Sequence, residues 1–145
     1  MKFAYFYASS PEISYPEIPI VPPLSAIMCI ECDEFPKKVD VALNMAIVGL
    51  AIEQEFFIDV TIFCNGKDVK SDKDAYEPFR VAHRRSSEND LATRYSFIDT
   101  FLAERPGIYT FVACLYEGSA PTSDEDKNSF IDRIECSVAI AKEWR

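Results

Sequence analysis

From Arg133 to Ile140 the chain alternates without a break. Ile134, Cys136, Val138 and Ile140 fall on one parity, and Arg133, Glu135 and Ser137 on the other. Successive side chains of a strand point to opposite faces, so this pattern belongs to a β-strand with one face buried and one in solvent. Upstream, Pro106-Gly107 is a turn signal, followed by Ile108, Tyr109, Phe111, Val112, Cys114 and Leu115, apolar on both parities. Such a run reads as a strand covered on both sides. The two segments together predict a layered, mostly β protein.

The same alternation organises most of the chain. Lys2 to Ala8 sets Phe3, Tyr5 and Tyr7 against Ala4, Phe6 and Ala8, and predicts a first strand. Ser25 to Phe35 predicts a second, closed by Pro36. Val39 to Val48 places Val39, Val41, Leu43, Met45 and Ile47 on one face. Gly49 stands where the apolar parity switches to Leu50 and Ile52, which predicts a bulge there. Phe56 to Cys64 is a further strand, ending in Asn65-Gly66, a pair that tolerates the positive φ of a tight hairpin turn. Phe79 to His83 reads as a short edge strand.

Residues 89–103 carry two patterns. Leu91, Tyr95, Ile98 and Leu102 have helical spacing, with Ser87 paired with Asp90, or Asn89, as the cap and Pro106-Gly107 as a stop. Thr93, Tyr95, Phe97, Ile98, Thr100 and Phe101 are mostly β-formers, and the strand reading is preferred. The helix leaves an α+β fold as the alternative.

A chain of 145 residues with 48% hydrophobic residues predicts one domain with a self-sufficient core, spanning 1–145. Residues 9–24 hold five of its nine prolines and read as an extended arm laid along the domain, since proline cannot donate to a ladder. The net charge of −9 argues against nucleic acid and anionic membranes as partners. Tyrosines interrupt the apolar N-terminal stretch, so it reads as a strand rather than a secretion signal, and a cytoplasmic location is expected. Five cysteines are an odd count for a disulfide scaffold, and each lies in an apolar stretch. Reduced, buried thiols are the expectation. Cys29 and Cys32 match CxxC, but positions i and i+3 of a strand face opposite ways, and no second pair or nearby histidine completes a zinc site.

The string from Phe101 to Phe111, Phe-Leu-Ala-Glu-Arg-Pro-Gly-Ile-Tyr-Thr-Phe, resembles the corner of an immunoglobulin-like sandwich, where a strand ends and the chain crosses between sheets. The resemblance implies that Tyr109, just after the turn, bonds back to upstream backbone. It covers about a dozen residues and concerns fold alone. The antibody cysteine–tryptophan framework is absent, because the only tryptophan is Trp144. The expected architecture is a two-sheet immunoglobulin-like β-sandwich of about seven to eight strands.

Three clusters carry candidate chemistry. Arg80, His83, Arg84 and Arg85 make a basic patch suited to an anion or an acidic partner, or a charged edge that discourages strand pairing. His83 is the only histidine, and its cationic neighbours disfavour the imidazolium a general base must form. Asp68, Asp72 and Asp74 in one loop, with Asp124, Glu125 and Asp126 in another, offer carboxylates for calcium, though lysines interleave them. There is no phosphate-binding glycine loop, GxSxG or HExxH motif. The expected function is therefore a non-enzymatic protein-interaction module without a cofactor. Its sharper form is a small acidic inhibitor, of the immunity or anti-defence type, that covers a basic partner surface. Dimerisation through strand edges is a further route. The alternatives are calcium or small-ligand binding by the acidic loops, and, last, a small enzyme using His83.

Overall fold

The computed structural model describes residues 1–11, 26–69, 80–84 and 92–143. In chain order these form β1 (Lys2–Ser9), β2 (Cys29–Glu31), β3 (Lys37–Val48), β4 (Glu55–Cys64), β5 (Lys67–Asp68), β6 (Arg80–Arg84), β7 (Ala92–Ala103), β8 (Gly107–Glu117), the short helix α1 (Asp124–Lys127) and β9 (Asp132–Ala141). One sheet has the order β1-β3-β7. The other runs β2-β9-β8-β4, with β5 and β6 both paired to β4. The two sheets make a mostly β sandwich. The count exceeds the expected seven to eight because β2 and β5 are pieces of three and two residues. The proline arm expected at 9–24 lies mostly outside the described residues, which resume at Ala26.

The core forms where the inward parities of the two sheets meet. Val39, Val41, Leu43, Met45 and Ile47 of β3 are all at most 5% exposed, as their alternation predicts. Opposite them lie Phe56, Ile58, Val60 and Ile62 of β4 and Phe111, Ala113 and Leu115 of β8, all fully buried. Phe101 of β7 packs its ring 5.3 Å from Tyr109 and 5.7 Å from Phe111, the second edge-on. β8 is covered on its other face too, where Val112 and Tyr116 are buried and Tyr116 lies 6.3 Å from the Phe57 ring. This is the two-sided burial that its apolar run called for.

Residues 92–103 are strand. β7 pairs with β3 along its whole length, from Ala92↔Val48 to Ala103↔Lys37. The helical stripe would have buried Ile98, which is 48% exposed, whereas the period-two pattern buries Phe101. A ladder partner of equal length supplies every second backbone group with a bond, and this outweighs the local helical spacing. The helical alternative is thus overturned from Ala92 onward; residues 89–91 lie outside the described set.

The expected bulge sits elsewhere. β3 ends at Val48, and Gly49 (φ 76°) turns the chain out of the sheet beside Met1 rather than bulging a strand. The register shift falls in β1, between Phe3 and Tyr5. Phe3 and Phe6 are both 7% exposed although they lie three positions apart, which a regular strand cannot arrange. The extra residue, Ala4, returns Phe6 and Ala8 to the inner face and leaves Tyr5 and Tyr7 outward. The second predicted strand, 25–35, contracts to Cys29–Glu31. The segment leading to it bridges the sheets: Ile27 N donates to Ala8 O of β1, Ala139 N of β9 donates to Met28 O, and β2 then runs parallel to β9.

At the β7–β8 corner Tyr109 bonds back to upstream backbone, as expected. Tyr109 is 1% exposed, and its hydroxyl donates to Arg105 O at 2.8 Å. Burial first, then the neighbouring Cys64, pushes the Tyr109 hydroxyl up to about 12, so it stays a donor. Beside it the Asn65-Gly66 turn closes the β4–β5 hairpin, both residues at positive φ. A side chain at Gly107 would displace Asn65, since a Cβ would stand 2.9 Å from its Nδ2.

Two substitutions check this account by urea denaturation. Tyr109→Phe should lower stability by about 1 kcal/mol, the net value of one hydrogen bond. Leu43→Ala should cost ~2–5 kcal/mol through lost apolar contact and the cavity left behind. A Tyr109→Phe protein as stable as the parent would show that the corner bond contributes nothing.

Candidate functional site

The registers define two ends of the sandwich. At one, β3 leads to β4 through residues 49–54 and β8 leads to β9 through residues 118–131. At the other lie the β4–β5 hairpin and the β7–β8 corner. Connections carry most variable chemistry on such a scaffold, and both ends present them.

The loop of 118–131 is tied down along its length. Ser123 caps α1, its hydroxyl accepting from Asp126 N at 3.1 Å. The Asp126 carboxylate reaches back to accept from Ser123 N at 3.1 Å and Thr122 Oγ1 at 3.0 Å, completing a capping box. These bonds to Ser123 and Thr122 hold its carboxyl below the usual value of 3.8. Ser129 Oγ donates to Asp126 O at 2.6 Å. The buried Tyr116 hydroxyl donates to Lys127 O at 3.1 Å, which pins the helix over β8. Burial foremost, with Cys114 and Asp59 adding to it, pushes the Tyr116 hydroxyl up to about 12. Beyond the loop, Asp132 accepts from Phe3 N at 2.7 Å and fastens the start of β9 to β1.

The neighbouring connection joins the same surface. Gly118 N donates to Glu55 O at 2.9 Å, and Gln54 Nε2 donates to Glu117 Oε1 at 3.3 Å. Gln54 Oε1 in turn accepts from Ala51 N at 3.0 Å. Between loop and strand lies a cleft of about 430 Å³, lined by Tyr116, Glu117, Ser119, Thr122, Asp126 and Ile131 among others. Glu53, Glu55, Glu117, Glu125 and Asp126 are exposed at this end. So are Ile52, Phe130 and Ile131, at 50%, 38% and 43%. Sequence reasoning missed this arrangement. Its one local signal was Ser123-x-x-Asp126, a capping pattern; the approach of Glu117 to Asp126 depends on how the loop folds back.

The expected site residues fall in several places. Asp126 commits its Oδ2 to capping, and Asp124 opens α1. Asp68 is exposed on β5, opposite Phe63, at the far end of β4. At the strand rise, β4 separates the two ends by roughly 30 Å, so Asp68 and Asp126 do not share a site. Asp72 and Asp74 lie outside the described residues. Among the described residues, no group of three or more His, Cys, Asp or Glu is placed to hold a metal ion. On β6, Arg80 stands in register with Asp59, His83 with Phe56 and Arg84 with Glu55; Arg85 lies outside the described set. A second cleft, about 210 Å³, lies at the opposite end with Lys67, Asp68, Glu104 and Arg105 in its wall, so its charges balance.

Four of the cysteines sit in strands, and Cys32 follows directly after β2. Cys32 and Cys64 are buried, Cys29, Cys114 and Cys136 half-buried, and all five are free thiols. Burial pushes the Cys136 thiol up to about 12, with a backbone bond at Ala8 opposing it, and burial also raises Cys114. Neither is a poised nucleophile, since the thiolate is the reactive form.

No protein-family model matches the chain, and no curated protein matches it by sequence. Among the described residues no helix is long and apolar enough to cross a membrane.

Two measurements follow from these geometries. Because the folded-state value of Asp126 is depressed, its contribution to loop order is complete above 3.8 and is lost as pH falls through the lower folded value. Amide resonances of Ser123 and Asp126 should hold at neutral pH and move only below that window; movement near pH 6 would refute the capping role. At pH near 8, native Cys114 and Cys136 should resist iodoacetamide and react once urea unfolds the chain, as read by mass spectrometry.

Proposed function

We propose that this chain is a non-enzymatic, cytoplasmic protein-interaction module on an immunoglobulin-like sandwich, a small acidic inhibitor of the immunity or anti-defence type. It covers a basic surface on its partner. The immunoglobulin-like build is supported by the sheet orders, by the segment of 26–31 passing from one sheet to the other, and by the Tyr109 corner.

The observation that carries the functional reading is the end formed by residues 49–54 and 118–131. There exposed Ile52, Phe130 and Ile131 are accompanied by exposed Glu53, Glu55, Glu117, Glu125 and Asp126. Exposed apolar groups with mostly negative charge around them, Lys127 in the loop and Lys2 beside Val48 being exceptions, suit a partner carrying mostly the opposite sign, which the field steers into register. An ordered loop loses little freedom on docking, so more of its contact energy appears as affinity. The net charge of −9 acts in the same direction at longer range.

Affinity capture with the whole chain should recover one dominant protein, identified by mass spectrometry and then purified for titration. Its binding should weaken steeply with added salt. Glu53→Lys with Glu125→Lys should weaken it more than Glu31→Lys with Glu34→Lys at the opposite end. A salt-insensitive partner, or equal effects from the two pairs, would refute the reading.

A further inference from the structure

We propose that the cleft between the 118–131 loop and the end of β8 is a socket for one arginine side chain of the basic partner. The proposal rests on the interaction-module reading and specifies where and how that partner is gripped. The cleft's volume, about 430 Å³, falls in the lower part of the range of ligand-sized cavities, ~300–1,000 Å³. It is more than a water site and ample for one long side chain.

The lining has the order such a side chain requires. Glu117 and Asp126 place carboxylates in the wall, and Tyr116, Ser119, Thr122 and Ser129 contribute hydroxyl-bearing residues. Ala120, Pro121 and Ile131 supply apolar surface for an aliphatic stem. A guanidinium offers five N–H donors in a fixed plane and no acceptor, so it matches a wall of acceptors better than a point-like ammonium does. An anion would meet two carboxylates. A metal ion has no group of three ligands among the described residues. The cleft is also held ready before anything binds. Asp126 is fixed by Ser123 and Thr122, Glu117 accepts from Gln54, and Tyr116 is anchored on Lys127 O. Arginine is among the residues that most often carry interface energy. Phe130, 38% exposed next to Ile131, adds an apolar edge for the surface around that arginine.

The test titrates a short blocked peptide with one central arginine into isotope-labelled protein, and in parallel the same peptide with citrulline, which keeps the shape without the charge. Saturable amide shifts confined to residues 116–131 are expected with arginine, and at least about tenfold weaker binding with citrulline. Glu117→Gln, which preserves an acceptor for Gln54, should weaken the arginine peptide by a similar factor without changing the melting temperature. Shifts scattered over all acidic surfaces, no shifts, or equal binding of the two peptides would overturn the socket. A captured basic partner indifferent to Glu117→Gln would overturn it while leaving the interaction-module reading in place. Peptide binding in the cleft with no partner captured would support the socket and count against that reading.

Discussion

The sandwich depends on the meeting of three inward faces, those of β3, β4 and β8. Val41, Leu43, Met45 and Ile47 on one side, and Ile58, Val60, Ile62, Phe111 and Leu115 on the other, are all fully buried. Each such side chain contributes ~1.5–3 kcal/mol when removed from water, set against the backbone entropy lost on ordering the strands. With period-two geometry, that burial fixes which parity of each strand faces in. A slip of one residue in any of the three would turn its whole apolar set outward. Register is therefore the quantity the core protects, and β1 shows it by inserting Ala4 to keep both Phe3 and Phe6 inside.

Once the core is fixed, the corners follow. The chain must leave β7 in one sheet and enter β8 in the other, and Tyr109 holds that crossing through Arg105 O while Gly107 lets Asn65 approach. Glycine at 107 leaves the Asn65 side chain in place, and Gly66 supplies a positive φ. At the opposite end Leu50 joins the core, but most of the surface lies in loops. The longest described connection there is ordered by polar bonds: the capping box of Ser123 and Asp126, the Ser129 bond and the Tyr116 anchor. A loop held by hydrogen bonds along its surface leaves carboxylates and Ile131 open to a partner, which is where the functional proposals lie.

The charge of the chain takes on more meaning from this layout. A net charge of −9 alone describes solubility as well as recognition. Its distribution discriminates more finely. Near the β4–β5 hairpin, Lys67 and Arg105 offset Asp68 and Glu104, whereas the end with residues 49–54 and 118–131 is predominantly acidic and exposes three large apolar residues. Of the free thiols, Cys114 and Cys136 are raised by burial, which lowers their reactivity at neutral pH.

The strands of the core were legible in the sequence because alternation is a local property. β3, β4, β8 and β9 could be read from their own residues, and so could the Asn65-Gly66 turn and the Tyr109 corner. Residues 92–103 were balanced between two periods, and only a twelve-residue ladder with β3 resolved them. The bulge was misplaced to Gly49 because a parity switch at a strand end looks, in one dimension, like one inside a strand. The acidic residues were visible as clusters, yet their grouping was not. Asp68 and Asp126 are drawn to opposite ends by the length of β4, while Glu117 and Asp126 come to one cleft because Tyr116 holds the loop back over β8. The sequence by itself determined the layers, through local periodicity. Which polar groups share a surface was decided by the tertiary structure alone, because it depends on contacts between segments far apart in the chain.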